Sequence, residues 1–214
     1  LSEVILQQTR VNQGKDYYLR FSERFPSVEE LAAAGEDEVL KLWQGLGYYS
    51  RARNLHAAAK QVVSRFSGTF PTAYADLLTL KGVGPYTAAA VASISAGEPV
   101  AVVDGNVSRV ISRLFLIEEP VNANPGEKIV ASLAQEILDR ADAGTHNQAI
   151  MEFGAMQCVP VNPDCSACPL ADYCEARAQG KVHRLPLKRR KSPVKHRYFT
   201  YFFIQHPEGT WLVK

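Results

Sequence analysis

From its first residue to about residue 177 the chain places apolar side chains three to four positions apart, the spacing that brings them onto one helical face. Leu55, Ala58, Ala59, Val62, Val63 and Phe66 make the clearest such stripe, and it predicts a helix buried along one side. Ser27 with Glu30 forms a capping box ahead of the Val28–Leu31 run and predicts a helix start there. The pattern reads as an all-α core. Between 178 and 197 the periodicity stops, and the sequence becomes basic and punctuated by prolines, as in a surface linker. The stretch from Tyr198 to Ile204 is aromatic and β-branched; a turn signal at Pro207-Glu208-Gly209 follows, and then Trp211-Leu212-Val213. That order predicts a β-hairpin. Two strands do not make an independent β domain. The C-terminal module is therefore expected to be cut short, and a chain already amphipathic at Leu1 is expected to have a segment upstream.

Composition narrows the picture modestly. With 214 residues, 46% of them hydrophobic, the chain can bury a real core in one or two domains. A formal net charge of +2 does not by itself identify a nucleic-acid partner. The charge is uneven, however, with a run at Lys188, Arg189, Arg190, Lys191, Lys195 and Arg197. No stretch reads as a signal peptide or a membrane span, which leaves the cytosol as the expected compartment.

The densest chemistry lies in four cysteines, Cys158, Cys165, Cys168 and Cys174, spaced C-x6-C-x2-C-x5-C. Short unequal loops of this kind let one stretch of chain offer a thiolate to each iron of a [4Fe–4S] cube. Two disulfides would suit a smaller, secreted domain. A zinc site would normally show two short cysteine arms, and here only Cys165 and Cys168 form one. Four unrelated buried thiols would not normally gather at a helix end beside Pro160, Pro163 and Pro169, so the cluster is the expected occupant, in a reducing compartment, with these three as the competing readings.

A second constellation runs from Leu80 to Ala88, Leu-Lys-Gly-Val-Gly-Pro-Tyr-Thr-Ala, between helix-forming segments; it reads as a helix-hairpin-helix over about 74–97. Gly82 and Gly84 allow a tight turn, and the amides opening the next helix favour an anion such as a DNA phosphate. An ordinary glycine-capped helix turn is the plainer alternative. Farther on, Val102-Val103-Asp104-Gly105-Asn106-Val107 puts Asp104 at a helix start, where by itself it is an N-cap.

Taken in order, LSEVILQQT at the start, GLGYYSRARNLH at 45–56, the hairpin, VVDGNV and the cysteine loop resemble the endonuclease III superfamily of DNA glycosylases, in particular its MutY-type adenine DNA glycosylases. The resemblance covers residues 1–177 and the linker. It implies a mainly α, helix-hairpin-helix glycosylase fold with an iron–sulfur loop at 158–174, a linker at 178–197, and at 198–214 the first strands of a truncated Nudix-like domain. It also implies removal of adenine mispaired with 8-oxoguanine or guanine in duplex DNA by a cytoplasmic, nucleoid-associated monomer. Where the bifunctional branch carries a nucleophilic lysine after the hairpin, this chain has Tyr86. A phenol cannot form a Schiff base, so hydrolysis without a lyase step is implied.

By the same resemblance Glu3 protonates adenine N7 from a buried position, and Asp104 remains an anion that supports positive charge at the sugar C1′. Tyr86 and Asn106 support the site. Gln8, Thr9, Leu46 and Tyr48 surround the opposing base, with Gln8 and Tyr48 entering the stack when the adenine is flipped out. Burial between helices is the plain alternative for Tyr48. Gln148 resembles the position that touches the flipped adenine, and amphipathic patterning reads it equally well as a solvated helix residue. Arg177, Lys181 and Arg184 are expected to face phosphates. A sister glycosylase acting on thymine or uracil opposite guanine would share most of these features, and Glu3 within LSEVILQQT is the discriminator; a noncatalytic, cluster-bearing DNA-binding module would also explain the hairpin, the basic linker and the cysteines, and a glycosylase assay with an undamaged-duplex control separates it.

Overall fold

A computed structural model of the chain describes residues 1–189 and 198–200, together with the backbone of 203–205 and 211–213. Helices dominate it in the order α1 (Ser2–Ile5), α2 (Val11–Arg24), α3 (Val28–Ala33), α4 (Glu36–Trp43), α5 (Ser50–Phe66), α6 (Tyr74–Leu77), α7 (Pro85–Ala96), α8 (Gly105–Leu114), α9 (Gly126–Glu136), α10 (Ala143–Met156) and α11 (Glu175–Ala178). Strands β1 (Phe203–Gln205) and β2 (Trp211–Val213) pair antiparallel, with Ile204 opposite Leu212. The two strands of the expected hairpin thus pair among the described residues. Its turn at Pro207-Glu208-Gly209 lies outside the described residues, as do Arg190, Lys191, Lys195 and Arg197 of the basic run.

The predicted α3 start is present, with Ser27 Oγ accepting from the Glu30 amide at 3.2 Å. The α5 stripe is buried as expected at Ala58, Ala59 and Val62, while Leu55, Val63 and Phe66 are partly buried. It serves two cores, because Leu55 packs against Phe21, Trp43 and Ile5 whereas Ala58 and Val62 pack against Leu77, Leu80 and Ala88. Phe21 and Trp43 meet edge to face at 5.7 Å between ring centroids. Each such fully buried side chain contributes roughly 1.5–3 kcal/mol of transfer free energy. Helix α7 carries small residues, and Thr87, Ala88, Ala89, Ala90, Ala92 and Ser93 are all buried, so neighbours approach it closely. A third core, Val107, Ile111, Val130 and Ala134, joins α8 to α9.

Packing runs past the boundary expected at 177. Leu185 is buried, Leu187 O accepts from Val121 N at 3.0 Å, and Arg189 N donates to Asn122 Oδ1 at 2.7 Å. The segment read as linker is therefore docked on the loop between α8 and α9 as far as Arg189. Periodicity could not reveal this, since these are backbone contacts of an irregular segment.

Candidate active site and iron–sulfur loop

The site is assembled where the beginnings of α1, α7 and α8 approach one another. Asp104 is the N-cap of α8: its Oδ1 accepts from Val107 N at 2.7 Å, and its Oδ2 accepts from Asn106 Nδ2 at 2.9 Å. Donors on both oxygens suit a carboxylate at a helix N-terminus. Asn106 in turn accepts from Arg109 Nη2 at 2.8 Å. Asn106 therefore orients Asp104 rather than completing a helix end alone. Gly154 of α10 lies against this turn, and a Cβ there would stand 2.7 Å from Asn106 Cβ, so the packing needs a bare backbone.

Tyr86 ties Asp104 to Glu3. Burial first, then the charges of Glu3 and of Asp104, raise the Tyr86 phenol above its ordinary 10.0, so both carboxylates lie within electrostatic reach of one hydroxyl. That hydroxyl is 4.0 Å from Met151 Sδ on α10. Glu3, expected to be buried, is half-buried instead: α1 is a single turn, and the carboxyl lines a largely apolar cleft with Gln7, Asn54, Leu80 and Thr87. A group whose proton is held more tightly in the folded state stabilises the fold fully below its unfolded value, about pH 10 for tyrosine, and less as pH rises through the raised one. Urea midpoints of the parent should accordingly fall faster above about pH 10 than those of Tyr86→Phe. Parallel alkaline limbs would mean that burial and the two carboxylates do not raise the Tyr86 phenol.

Two turns flank the cleft. Gln8 is exposed with φ 53°, and Tyr48, 65% exposed, has φ 46°; both are in the left-handed region that non-glycine residues seldom occupy. Exposure of Tyr48 sets aside its reading as helix–helix core. Thr9 is half-buried, with its hydroxyl accepting from Arg51 Nη1 at 3.1 Å. Leu46 differs from expectation: its side chain is buried with Ile5 and Trp43, and the Gly45-Leu46-Gly47 turn points its ends outward instead. An apolar side chain beside an open core is drawn inward.

The hairpin forms, but its first helix, α6, is one turn. Gly82 has φ +78°, and a Cβ there would sit 2.5 Å from Asn54 Cβ. Gly84 is extended, and a Cβ there would touch nothing within 4 Å, so the fold itself does not require glycine there. No side chain caps α7, and Pro85 at its first turn leaves the Tyr86 and Thr87 amides to an external acceptor.

Gln148 is not brought to the site. It is exposed and lies beside Ser93, Ser95 and Gly97, at the end of α7 opposite Tyr86. One turn along α10, Met151 reaches Tyr86 instead, and buried Asn147 fixes the strand-like approach to Asp104, bonding Val102 N at 3.0 Å and Val100 O at 2.9 Å.

All four cysteines are free, half-buried thiols, which excludes the disulfide reading. They line one small cavity with Arg113, Pro163, Ala171 and Val182. Burial and the other three thiols raise the Cys165 thiol, offset by Arg113, as expected for sulfurs facing one another. Among the described residues no three His, Cys, Asp or Glu side chains close on a single-ion site. Thiols set around a shared space suit the corners of a cube, and Cys158, Cys165, Cys168 and Cys174 would hold it. Arg113, 2% exposed, pins this loop by donating to Leu185 O at 3.0 Å, Val159 O at 2.8 Å and Pro160 O at 3.1 Å, with Cys158 Sγ at 3.4 Å. Asp164 Oδ1 accepts from Ser166 N and Ala167 N and shapes the turn between Cys165 and Cys168. Arg109 Nε donates to Cys158 O at 2.7 Å, so one guanidinium joins the cysteine loop to the Asn106–Asp104 pair. The flanking cations are less free than expected, since Lys181 pairs with Glu118 at 3.0 Å and Arg177 with Asp172 at 3.5 Å; Arg184 is exposed.

Sequence reasoning passed over Arg51, Arg109, Arg113 and Asn147. The available signal was a set of polar side chains at positions where helical periodicity calls for apolar ones, all four of them buried.

Residues 1–140 match the HhH-GPD superfamily of base excision DNA repair proteins, and residues 158–174 match the iron–sulfur binding domain of endonuclease III. The chain belongs to the HhH-GPD superfamily, and its cysteine loop binds a [4Fe–4S] cluster. Among curated relatives, the adenine DNA glycosylase of Buchnera aphidicola (subsp. Acyrthosiphon pisum) is 33% identical over 100% of this chain and 61% of its own length. The human adenine DNA glycosylase is 43% identical over 86% of this chain and 34% of its own. The chain thus spans less than two thirds of these relatives. A solved thermostable thymine-DNA glycosylase is 28% identical with a TM-score of 0.75, covering 83% of this chain and 82% of that one. An endonuclease III–DNA complex, 23% identical with a TM-score of 0.70 over 84% and 82%, shows the same fold.

Proposed function

We propose that the chain carries the catalytic machinery of an adenine DNA glycosylase that hydrolyses the N-glycosidic bond of adenine opposite 8-oxoguanine or guanine in duplex DNA. The observation that carries this reading is the placement of Tyr86 within reach of both Glu3 and Asp104. Two carboxyl groups acting on one site are what cleavage toward a cationic sugar requires, one to give a proton and one to remain an anion. Glu3 gives its proton to adenine N7 as the C1′–N9 bond breaks and its electron pair leaves with the base. Asp104, held by Val107 N and Asn106, supports the positive charge at C1′. Water then adds to C1′, and its proton passes to the Glu3 carboxylate.

Gly82 and Gly84 let a phosphate approach the first amides of α7. Gln8 and Tyr48, exposed beside the cleft, fill the gap left by the extruded adenine. The cluster shapes the loop that Arg113 and Arg109 tie to α8 and supplies no step of this hydrolysis. The residues from 198 onward open a Nudix-like domain, of which the β1–β2 hairpin is the first part. The enzyme acts as a cytoplasmic, nucleoid-associated monomer; among the described residues no helix is long and apolar enough to cross a membrane.

A second reading, thymine opposite guanine, draws on the 28% identity to the thymine-DNA glycosylase, whereas curated relatives at 33–44% identity are adenine DNA glycosylases. Because Tyr86 offers no amine, the reaction should leave an intact abasic strand until alkali is added, and borohydride should trap no covalent complex. Strand cleavage without alkali, or a trapped adduct, would overturn the hydrolytic mechanism.

A further inference from the structure

Arg51 is 8% exposed, yet none of the ion pairs among the described residues includes it. A buried guanidinium is costly unless its donors are matched. Here the two terminal nitrogens are matched by two turns at once, while Nε is buried without a partner among the described residues. Nη1 donates to Gln7 O and, at 3.1 Å, to Thr9 Oγ1, the residues on either side of Gln8; it also reaches Ile5 O at 2.9 Å. Nη2 donates to Leu46 O at 3.2 Å and Gly47 O at 3.4 Å, immediately before Tyr48. The guanidinium carbon lies 5.1 Å from the Trp43 ring centroid and 5.8 Å from that of Tyr48. Trp43 Nε1 adds a bond to Gly47 O at 3.0 Å. Gln8 and Tyr48 are the two exposed residues that this arrangement brackets, and both are left-handed. Strain of that kind persists only where the surroundings over-determine it.

We propose that Arg51 is the positioning residue of a two-pronged wedge, its single planar fork setting the backbone pose in which Gln8 and Tyr48 enter the DNA stack. The inference rests on the adenine-excision reading above. Arg51 touches no DNA in this scheme. It acts through the carbonyls that flank the two prongs, and a lysine, with one compact ammonium, cannot span both turns.

The test uses the chain, Arg51→Lys, Arg51→Gln and Tyr48→Ser on duplexes with 2-aminopurine next to an adenine opposite 8-oxoguanine, where fluorescence rises as the stack opens. A parent that neither excises adenine nor raises the signal would overturn the functional reading itself. With a working parent, Arg51→Lys should open the stack at least about tenfold more slowly, the scale of a group displaced by a fraction of an ångström. Binding to a duplex carrying an abasic-site analogue, which has no base to extrude, should stay within about threefold, and the cluster absorbance should be retained. Combining Arg51→Lys with Tyr48→Ser should cost less than the product of the separate losses, because both act on one prong. Arg51→Gln, which retains planar donors without the charge, should behave as Arg51→Lys does. Stack opening equal to the parent's, a loss shared equally by the abasic duplex, or multiplicative losses in the double variant would overturn the assignment. So would failure of both Arg51 variants to fold, which would place Arg51 in the architecture rather than in the wedge.

Discussion

Glu3→Gln is expected to slow single-turnover release of adenine opposite 8-oxoguanine by ~10²–10⁴, the range of a lost general acid. The substitution keeps the size and hydrogen-bonding shape of the side chain and removes the proton that the leaving purine needs. Glu3 lines the cleft from the first turn of α1, and its charge, like that of Asp104, is felt at the Tyr86 phenol. Because the loss falls on the transition state, kcat should drop while affinity for a duplex with a noncleavable adenine analogue stays near the parent's. A Glu3→Gln protein with parental rates would remove this carboxyl from the chemistry. It would also leave Asp104 as the sole acid of a site that needs two.

The second large effect concerns the cysteine loop. Anaerobically purified parent should be brown with about four irons and four sulfides per chain, and Cys168→Ser should lose the colour. Duplex affinity and excision should fall with it, because Cys158 O holds Arg109, and Arg109 holds Asn106 against Asp104. Arg109→Leu separates the two contributions. It leaves all four thiols in place, so colour and iron should persist, while excision should fall by about 10²-fold from the misplaced carboxylate. A colourless chain holding one zinc, or a Cys168→Ser protein with parental excision, would contradict this link.

The residues that could be read from sequence were those whose chemistry is local. Four thiols at short unequal spacing favour a cluster over zinc or disulfides, and an aspartate before Gly105-Asn106-Val107 announces a helix start, where its side chain accepts from Val107 N. Ser27 and the apolar stripe of α5 behave likewise, since cap and periodicity are properties of a single helix. What stayed hidden depended on distant segments. Leu46 lies between two glycines in a turn with solvent on one side and a core on the other, and only packing against Ile5 and Trp43 decides which way it points. Gln148 and Met151 share α10, and the crossing of α10 over α7 determines that the second reaches Tyr86 while the first lies near Gly97. The arginines were missed because a charged residue on a helix is ordinarily solvated. Arg51, Arg109 and Arg113 are buried by carbonyls up to 72 positions away in sequence, as with Arg113 and Leu185.

Base release from three matched duplexes tests the central claim most directly: adenine opposite 8-oxoguanine, opposite guanine and opposite thymine, each scored before and after alkali, with a thymine:guanine duplex alongside. The proposed function predicts free adenine from the first two, none from the adenine:thymine pair, and strand breaks only after alkali. Thymine released from thymine:guanine with adenine untouched, or no base released from any duplex by a cluster-loaded protein that binds them, would contradict it.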